Sequence, residues 1–436
     1  MFVASLRRRV FAPRALRPVT GSVITACIVC VLPWTSHAQQ LDTVLTWNQV
    51  MATALVVPGA NPATVFVSRP IAITGVAMFD AANSFERRYH PYAAAVAPEP
   101  GASPDAAVAQ AAHDVLVAML PSQRAVFDAA LAQSLAGLPD QAARDGAAVG
   151  AAVAAAVLEL RAGDGWARPF PPLELPGLPG YWRPTPPANA SAAFTNYPDV
   201  VGFIVPNGRQ FLTEGPPALT SERFARDFNE TKAVGGAESA VRTAEQTQAA
   251  RLWASVGTST PFWAVWNQVV GNVARSRALS GLDAARAFAL VGMAQHDALL
   301  TSFTGKFLYA FWRPVTAIRE AHTDGNDATE RDATWTPLVP TPPYPGHPGN
   351  MACLGAAQAR VLERVVGRDD VPFEVTWTGT TGPTVTRRYN GFRQLADEGA
   401  ESRIWGGIHF TFESLASFGS CTRLADYAAD NVLRAR

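Results

Sequence analysis

Charge is what this sequence has little of. Lys and Arg number 36 and Asp and Glu number 36, together 17% of 436 residues, for a formal net charge of zero. That balance removes any general attraction to nucleic acid or to an anionic membrane, so any positive charge that matters must be local. Cysteine is scarce as well. There are four, and Cys27 and Cys30 sit in an apolar N-terminal run, leaving Cys353 and Cys421. No zinc or haem spacing can be built from these. The two late cysteines read either as one disulfide in an oxidising compartment or as two buried thiols in apolar helical patterns. Long apolar runs are missing after residue 38. The longest stretch, Ala147 to Leu160, is mostly alanine, is bounded by Asp145 and Arg161, and falls short of the ~20 residues needed to span a bilayer. The expected mature chain is soluble, with no membrane or nucleic-acid partner and with an oligomer left open.

The N-terminus carries an address. Arg7, Arg8, Arg9, Arg14 and Arg17 precede an apolar run from Gly21 to Trp34, and Ser36-His37-Ala38 follows with small residues flanking one position. This order is that of a secretory signal peptide, residues 1–38, cleaved after Ala38, so the protein is expected to be exported, periplasmic or secreted. Beyond it, alanine-rich helical patterns dominate. Helices are expected over 43–56, 64–83, 104–119, 123–136 and 139–162, with Ser122 and Asp140 where caps belong. The 64–83 segment carries little charge between Arg69 and Asp80, which marks a central, buried helix. From 163 the chain is crowded with Pro, Gly and aromatics and is expected to run irregularly across the surface to about 235. Helices resume over 236–256, 260–277, 281–303, 313–321, 351–366, 390–416 and 420–435, and 372–389 alternates around a Thr-Gly-Pro turn as a β-hairpin. The organisation is thus an N-terminal helical part, 39–235, and a C-terminal helical part, 236–436.

Three segments of the C-terminal part hold the residues suited to chemistry. In Lys306-Phe-Leu-Tyr-Ala-Phe-Trp-Arg313-Pro314 the two cations are seven apart, close to two helical turns, so they can share a face. In Ser402-Arg403-Ile-Trp-Gly-Gly-Ile-His409, Gly406 and Gly407 cost helix stability but allow close approach of a ligand or another backbone. Between them, Thr341-Pro-Pro-Tyr-Pro-Gly-His347-Pro-Gly349-Asn350-Met351 is a rigid approach to a helix N-terminus, where amides bind anions. Singly, each has a bland counterpart: a solvated face, a core histidine, a proline-rich connector.

Taken in order, the three segments resemble the signature of the vanadium-haloperoxidase and acid-phosphatase superfamily: Lys, six residues, Arg-Pro; then Pro-Ser-Gly-His; then Ser-Arg, five residues, His. Trp47-Asn48-Gln49, Met78 to Asn83 and Trp312 to Arg319 extend the likeness to the bacterial vanadium-haloperoxidase-like branch along nearly the whole mature chain. The resemblance implies an all-α fold of helical bundles. It implies that His409 is the ligand to vanadate, or the nucleophile toward phosphate in phosphatase members. Lys306, Arg313 and Arg403 would hold the equatorial oxygens, with Gly349 and Asn350 beside them. Fixed cations in a water-poor pocket suit a five-coordinate centre that spreads negative charge over its oxygens. Small-molecule substrates follow, either halide and peroxide or a phosphomonoester.

The middle segment departs from the signature. Aligned without gaps, Pro348-Gly349-Asn350-Met351 falls where Pro-Ser-Gly-His is usual, and methionine cannot transfer a proton. Since a positioned general acid is worth about 10²–10⁴ in rate, the site would bind oxyanions and turn over slowly, or only bind them. The alternative is that His347, four residues earlier, supplies the acid. His113, His296 and His322 carry no motif and are read as structural.

Overall fold

A computed structural model describes residues 34–59 and 65–436. The expected leader, 1–38, lies outside the described residues except for the backbone of 34–38, which opens α1 (Trp34–Leu55). Thirteen α-helices and one two-stranded antiparallel hairpin make up the regular structure of the described residues. The fold is all-helical, as expected. None of the described helices is long and apolar enough to cross a membrane.

Two helices form the centre. α2 (Ser68–Glu86) is buried along nearly its whole length, as its low charge suggests, and so is α9 (Gly281–Tyr309) up to Lys306. They cross where each offers a glycine. A Cβ on Gly75 would lie 3.1 Å from the Ala289 Cα, and one on Gly292 would lie 3.2 Å from the Ala72 Cα. The two glycines therefore let the backbones meet reciprocally. Around α2 pack α3 (Pro104–Met119) and α5 (Asp140–Arg161), and α4 (Arg124–Leu135) packs on α3. α3 starts where Ser103 accepts a hydrogen bond from the Ala106 amide, with Pro104 at the first helical position. Around α9 pack α11 (Asn350–Val366) and α13 (Thr411–Asn431), while α12 (Phe392–Trp405) lies on α11. The hairpin, β1 (Phe373–Trp377) and β2 (Val385–Tyr389), pairs Phe373 with Tyr389 and Trp377 with Val385 and leans on α8 (Phe262–Ser276).

The Pro/Gly-rich excursion is ordered by polar anchors. Asp297 of α9 accepts from the amides of Phe203, Ile204 and Val205. Arg161 donates to the carbonyls of Val201 and Gly202. In the first half, Asp80 accepts in the same way from the amides of Tyr92, Ala93 and Ala94. Buried carboxylates thus satisfy amides that no helix or strand could.

Several expected helix boundaries are placed differently. A helix, α6 (Glu222–Gly235), occupies the end of the stretch expected to be irregular. The segment 236–243 is irregular, and α7 (Ala244–Trp253) starts only at the Thr243–Gln246 capping box. Lys306 and Arg313 do not share a helix. α9 ends at Tyr309, Ala310 adopts φ 48°, and Arg313 is the N-cap of α10 (Pro314–Arg319). The break expected between residues 416 and 420 lies instead at 406–410, between α12 and α13. Of the two readings for the late cysteines, the disulfide is found: Cys353 of α11 and Cys421 of α13 are bonded, with Cα atoms 5.2 Å apart.

Candidate functional site

The expected cations and histidine converge at the C-terminal end of α9. The last turn of α9 brings Lys306, and Arg313 follows where the chain turns into α10. The last turn of α12 brings Arg403. The tight turn after it places His409 just ahead of α13. Gly407, at φ 76°, makes that turn possible, and a Cβ there would sit 2.2 Å from the Gly235 carbonyl oxygen at the end of α6. The proline-rich approach to α11 threads between these elements. Lys306 Nζ donates to the carbonyls of Pro345 (2.8 Å) and Gly346 (2.6 Å). Arg313 Nε donates to the Tyr344 carbonyl (2.8 Å), and both cations lie over the Tyr344 ring, at 5.4 and 5.0 Å from its centroid.

His409 is held from both ring nitrogens. Its Nδ1–H donates to Glu413 Oε2 at 2.5 Å, and its Nε2 accepts from Arg313 Nη1 at 3.1 Å, a tautomer set by those partners. Burial, then the charges of Arg313, Lys306 and Arg403, hold the imidazole pKa well below its usual value. The ring is therefore neutral, with its Nε2 lone pair in the cluster. Burial pushes the Glu413 carboxyl up to about 7 against the pull of Lys306 and Arg313. Burial, reinforced by Arg313, holds the Lys306 ammonium well below its ordinary range, and burial lowers Arg403 to about 10.

Several polar atoms here are enclosed and lack a protein partner: Arg313 Nη2, Arg403 Nη1, and both side-chain polar atoms of Asn350. Leaving buried donors unsatisfied costs roughly 1–3 kcal/mol each, more for charged groups, so a concentration of them marks a place where something else binds. Two guanidinium donors, an amide and a neutral imidazole lone pair fit a tetrahedral oxyanion such as vanadate or phosphate. A cavity of about 440 Å³ opens on Arg403, His409, Asn350 and Met351, and no acidic side chain lines it. The larger described cavity, about 750 Å³, lies elsewhere, between α1, α8 and the hairpin, and contains none of these residues.

The two candidates for the proton-transfer position part company. Met351, in the first turn of α11, is a wall of the cavity. His347 is not among its walls. Its Nε2 donates to the Glu214 carbonyl at 2.9 Å, and its ring lies among Tyr309, Phe311 and Phe412. Gly349 caps α11, and its amide donates to the Glu413 carbonyl, so that amide is already engaged. Glu413 itself was not anticipated. Its signal was available: an acid four residues after His409, at the third position of a helix, where it accepts from the Phe410 amide. The apolar walls Phe194 and Trp253 had no local signal at all. Of the remaining histidines, His113 bridges Asp114 and Asp128, and His296 is buried against Ser68 and Trp166. His322 is exposed, and none of the three is a wall of the cavity.

Residues 286–436 match the family described as the VCPO second helical-bundle domain. Vanadium chloroperoxidase of Curvularia inaequalis is 27% identical across 48% of this chain, and the match spans 44% of that protein, less than half its length. Among solved structures, a bacterial vanadium-dependent iodoperoxidase superposes with a TM-score of 0.74 at 22% identity, covering 90% of this chain and 96% of the other. An apo-type bacterial vanadium-dependent chloroperoxidase gives 0.69 at 16% identity, over 86% and 95%. At those identities the two structures speak to the fold.

Proposed function

Because the chain belongs to the vanadium haloperoxidase-like superfamily, we propose that Lys306, Arg313, Arg403 and His409 form a vanadate site in an enzyme of haloperoxidase type, with turnover held back at one proton-transfer position. The observation that carries this reading is the pair of enclosed, unpartnered guanidinium nitrogens, Arg313 Nη2 and Arg403 Nη1, beside a neutral histidine. Bound there, vanadate would supply a Lewis-acidic centre able to activate peroxide for halide oxidation. The chain's own groups do the rest. His409 offers the Nε2 lone pair, and Glu413 fixes the ring by holding the Nδ1 proton. Arg313 and Arg403 present donors to the oxyanion, and Asn350 adds a neutral amide. Lys306 contributes charge while its hydrogen bonds pin residues 345–346. Phosphate suits the same donors, so a phosphomonoester is the other substrate the cradle accommodates.

Met351 favours a second reading, oxyanion capture without efficient turnover. In the gap-free register it stands where the superfamily signature has its acid–base histidine, and it lines the cavity while His347 turns to Glu214. Export completes the proposal. The basic and apolar N-terminal pattern supports it, as does the Cys353–Cys421 disulfide, a bond characteristic of oxidising compartments. Calorimetric titration with orthovanadate tests the site. The wild type should bind, and Arg403→Ala or His409→Ala should weaken binding at least tenfold. Equal affinity in all three proteins would overturn the assignment.

A further inference from the structure

We infer that the 750 Å³ cavity between α1, α8 and the hairpin is a binding site for a neutral saccharide. The site is independent of the oxyanion cluster, because the two cavities share no lining residue. Its walls are built from amides and hydroxyls. Asn48 and Gln49 come from α1, Asn267, Gln268 and Asn272 come from α8, and six Ser or Thr side chains stand around them. Two charged side chains line it, Asp42 and Arg275, and they are of opposite sign. A phosphate or a carboxylate would therefore meet one cation offset by one anion, with no net field to hold it. A hydrocarbon ligand would strip water from the carboxamides and return no partner. Carboxamides and hydroxyls both donate and accept, and so does each hydroxyl on the rim of a sugar ring. The C–H face of such a ring is matched as well. Leu45 of α1 and Phe288 of α9 are both buried and give the cavity an apolar floor. The volume is that of a small-molecule site, roughly 300–1,000 Å³ for such pockets.

The amides divide into those that build the wall and those left for a ligand. Gln268 grips Thr376 of β1 twice: its Nε2 donates to the carbonyl at 3.0 Å, and its Oε1 accepts from the amide at 3.1 Å. Asn272 Nδ2 donates to the Glu374 carbonyl at 2.8 Å. These bonds close the outer edge of β1, so an extended peptide has no free edge there to join as a further strand. They also fix the wall before any ligand arrives, which lowers the cost of binding. Asn48 and Asn267 are differently placed. Asn48 is 3% exposed, its Nδ2 donates to the Val44 carbonyl at 2.9 Å, and its Oδ1 has no protein partner among the described residues. The Asn267 amide bonds to no other described residue. In Trp47-Asn48-Gln49 the indole turns away, its Nε1 donating to Ser134 at 3.1 Å, while both carboxamides line the cavity. That triplet is the part of the sequence likeness for which the oxyanion cluster has no use.

The test is calorimetric titration of the full-length protein with maltose, cellobiose and N,N′-diacetylchitobiose, and with the hexasaccharide of each. At least one series should bind saturably at one site, at least tenfold tighter than hexanediol. Asn267→Leu, which removes an unpartnered amide at nearly constant volume, should weaken that binding at least tenfold. Gly271→Phe should do the same by filling the space. A Cβ at Gly271 would meet Arg275 Nη1 at 3.7 Å and Leu45 Cδ2 at 3.9 Å, both ordinary contacts, and replacing a glycine inside a helix favours the helix. Both variants should melt within a few degrees of wild type, which separates a lost contact from a lost fold. Equal affinity for disaccharide and hexasaccharide would mark a free sugar as the ligand, and affinity rising with length would mark a glycan chain; either upholds the site. No saturable binding in any series, binding no tighter than that of hexanediol, or binding indifferent to both variants would overturn it.

Discussion

A thioether has no proton to offer, and that makes position 351 the most consequential side chain in the cavity beside the oxyanion cluster. In the proposed site, binding an oxyanion would need the cations and His409, whereas turnover would also need a proton moved at the reacting oxygen. Met351→His should therefore raise bromide oxidation in the presence of vanadate and peroxide at least tenfold, with vanadate affinity little changed. A wild-type rate that does not rise in this variant and collapses in His347→Ala would move the proton-transfer role to His347. The sequence left these two histidine placements open for a physical reason. The partner that draws His347 away, the Glu214 carbonyl, lies 133 residues earlier and has no local signature. His347 has a second, measurable signature. Burial lowers its pKa from 6.5 to about 4. Between those values the unfolded chain binds a proton that the folded chain refuses, so its contribution is full above pH 6.5 and is lost as pH falls toward 4. His347→Gln keeps a donor for Glu214 and should flatten the pH dependence of urea-unfolding stability in that window by roughly 2–4 kcal/mol. His409 and His296, shifted in the same direction, would still leave a shallower slope.

Helices with clean caps were legible, and those decided by distant packing were not. α3, α8 and α11 fall within two residues of their expected bounds, because Ser103-Pro104, Pro261 and Gly349 to Gly367 punctuate them locally. α6 was hidden by its neighbourhood. Its amphipathic run of Phe224, Ala225 and Phe228 follows a Pro/Gly-crowded segment, and Gly235-Gly236 read as a start rather than an end. The turn between α12 and α13 was misplaced because Gly406-Gly407-Ile-His409 is apolar enough to continue a helix. Gly407, at φ 76°, turns the chain there, and it packs against Gly235, over 170 residues earlier. That contact yields a prediction. Gly407→Ala adds a Cβ 2.2 Å from the Gly235 carbonyl oxygen at a positive φ, a clash with backbone that cannot swing aside. The variant should lose about 2 kcal/mol or more of stability. Because His409 lies two residues on, vanadate affinity should fall with it. A variant as stable as wild type, with unchanged vanadate binding, would show that the turn is more pliable than its contacts imply.

The molecule holds its site together from several directions. The reciprocal glycine crossing fixes α2 and α9 to each other, and α9 delivers Lys306 at its far end. α11 and α13, which supply Met351 and Glu413, are joined by Cys353–Cys421 across 68 residues of sequence. The sequence could name the two cysteines but not pair them, since both sit in apolar helical patterns that suit a buried thiol equally well. A cross-link over a loop of that length limits the unfolded chain far more than the folded one, and typical values are about 2–4 kcal/mol. The double substitution Cys353→Ala with Cys421→Ala should lower the free energy of urea unfolding by roughly that amount. The site should respond differently. Lys306, Arg313 and Arg403 arrive on α9, α10 and α12, and the Cys353 sulfur meets α9 at the Ala298 carbonyl, about two turns before Lys306, so orthovanadate affinity in the folded variant should stay within a few fold of wild type. Both sulfur-bearing residues are buried, at 1% and 0% exposure, so thiol reductant added to the native protein should act only as fast as the chain opens. Rapid reduction without unfolding, or vanadate binding abolished in a folded double variant, would mean that the α11–α13 contact is looser than it looks and that the disulfide itself positions the site.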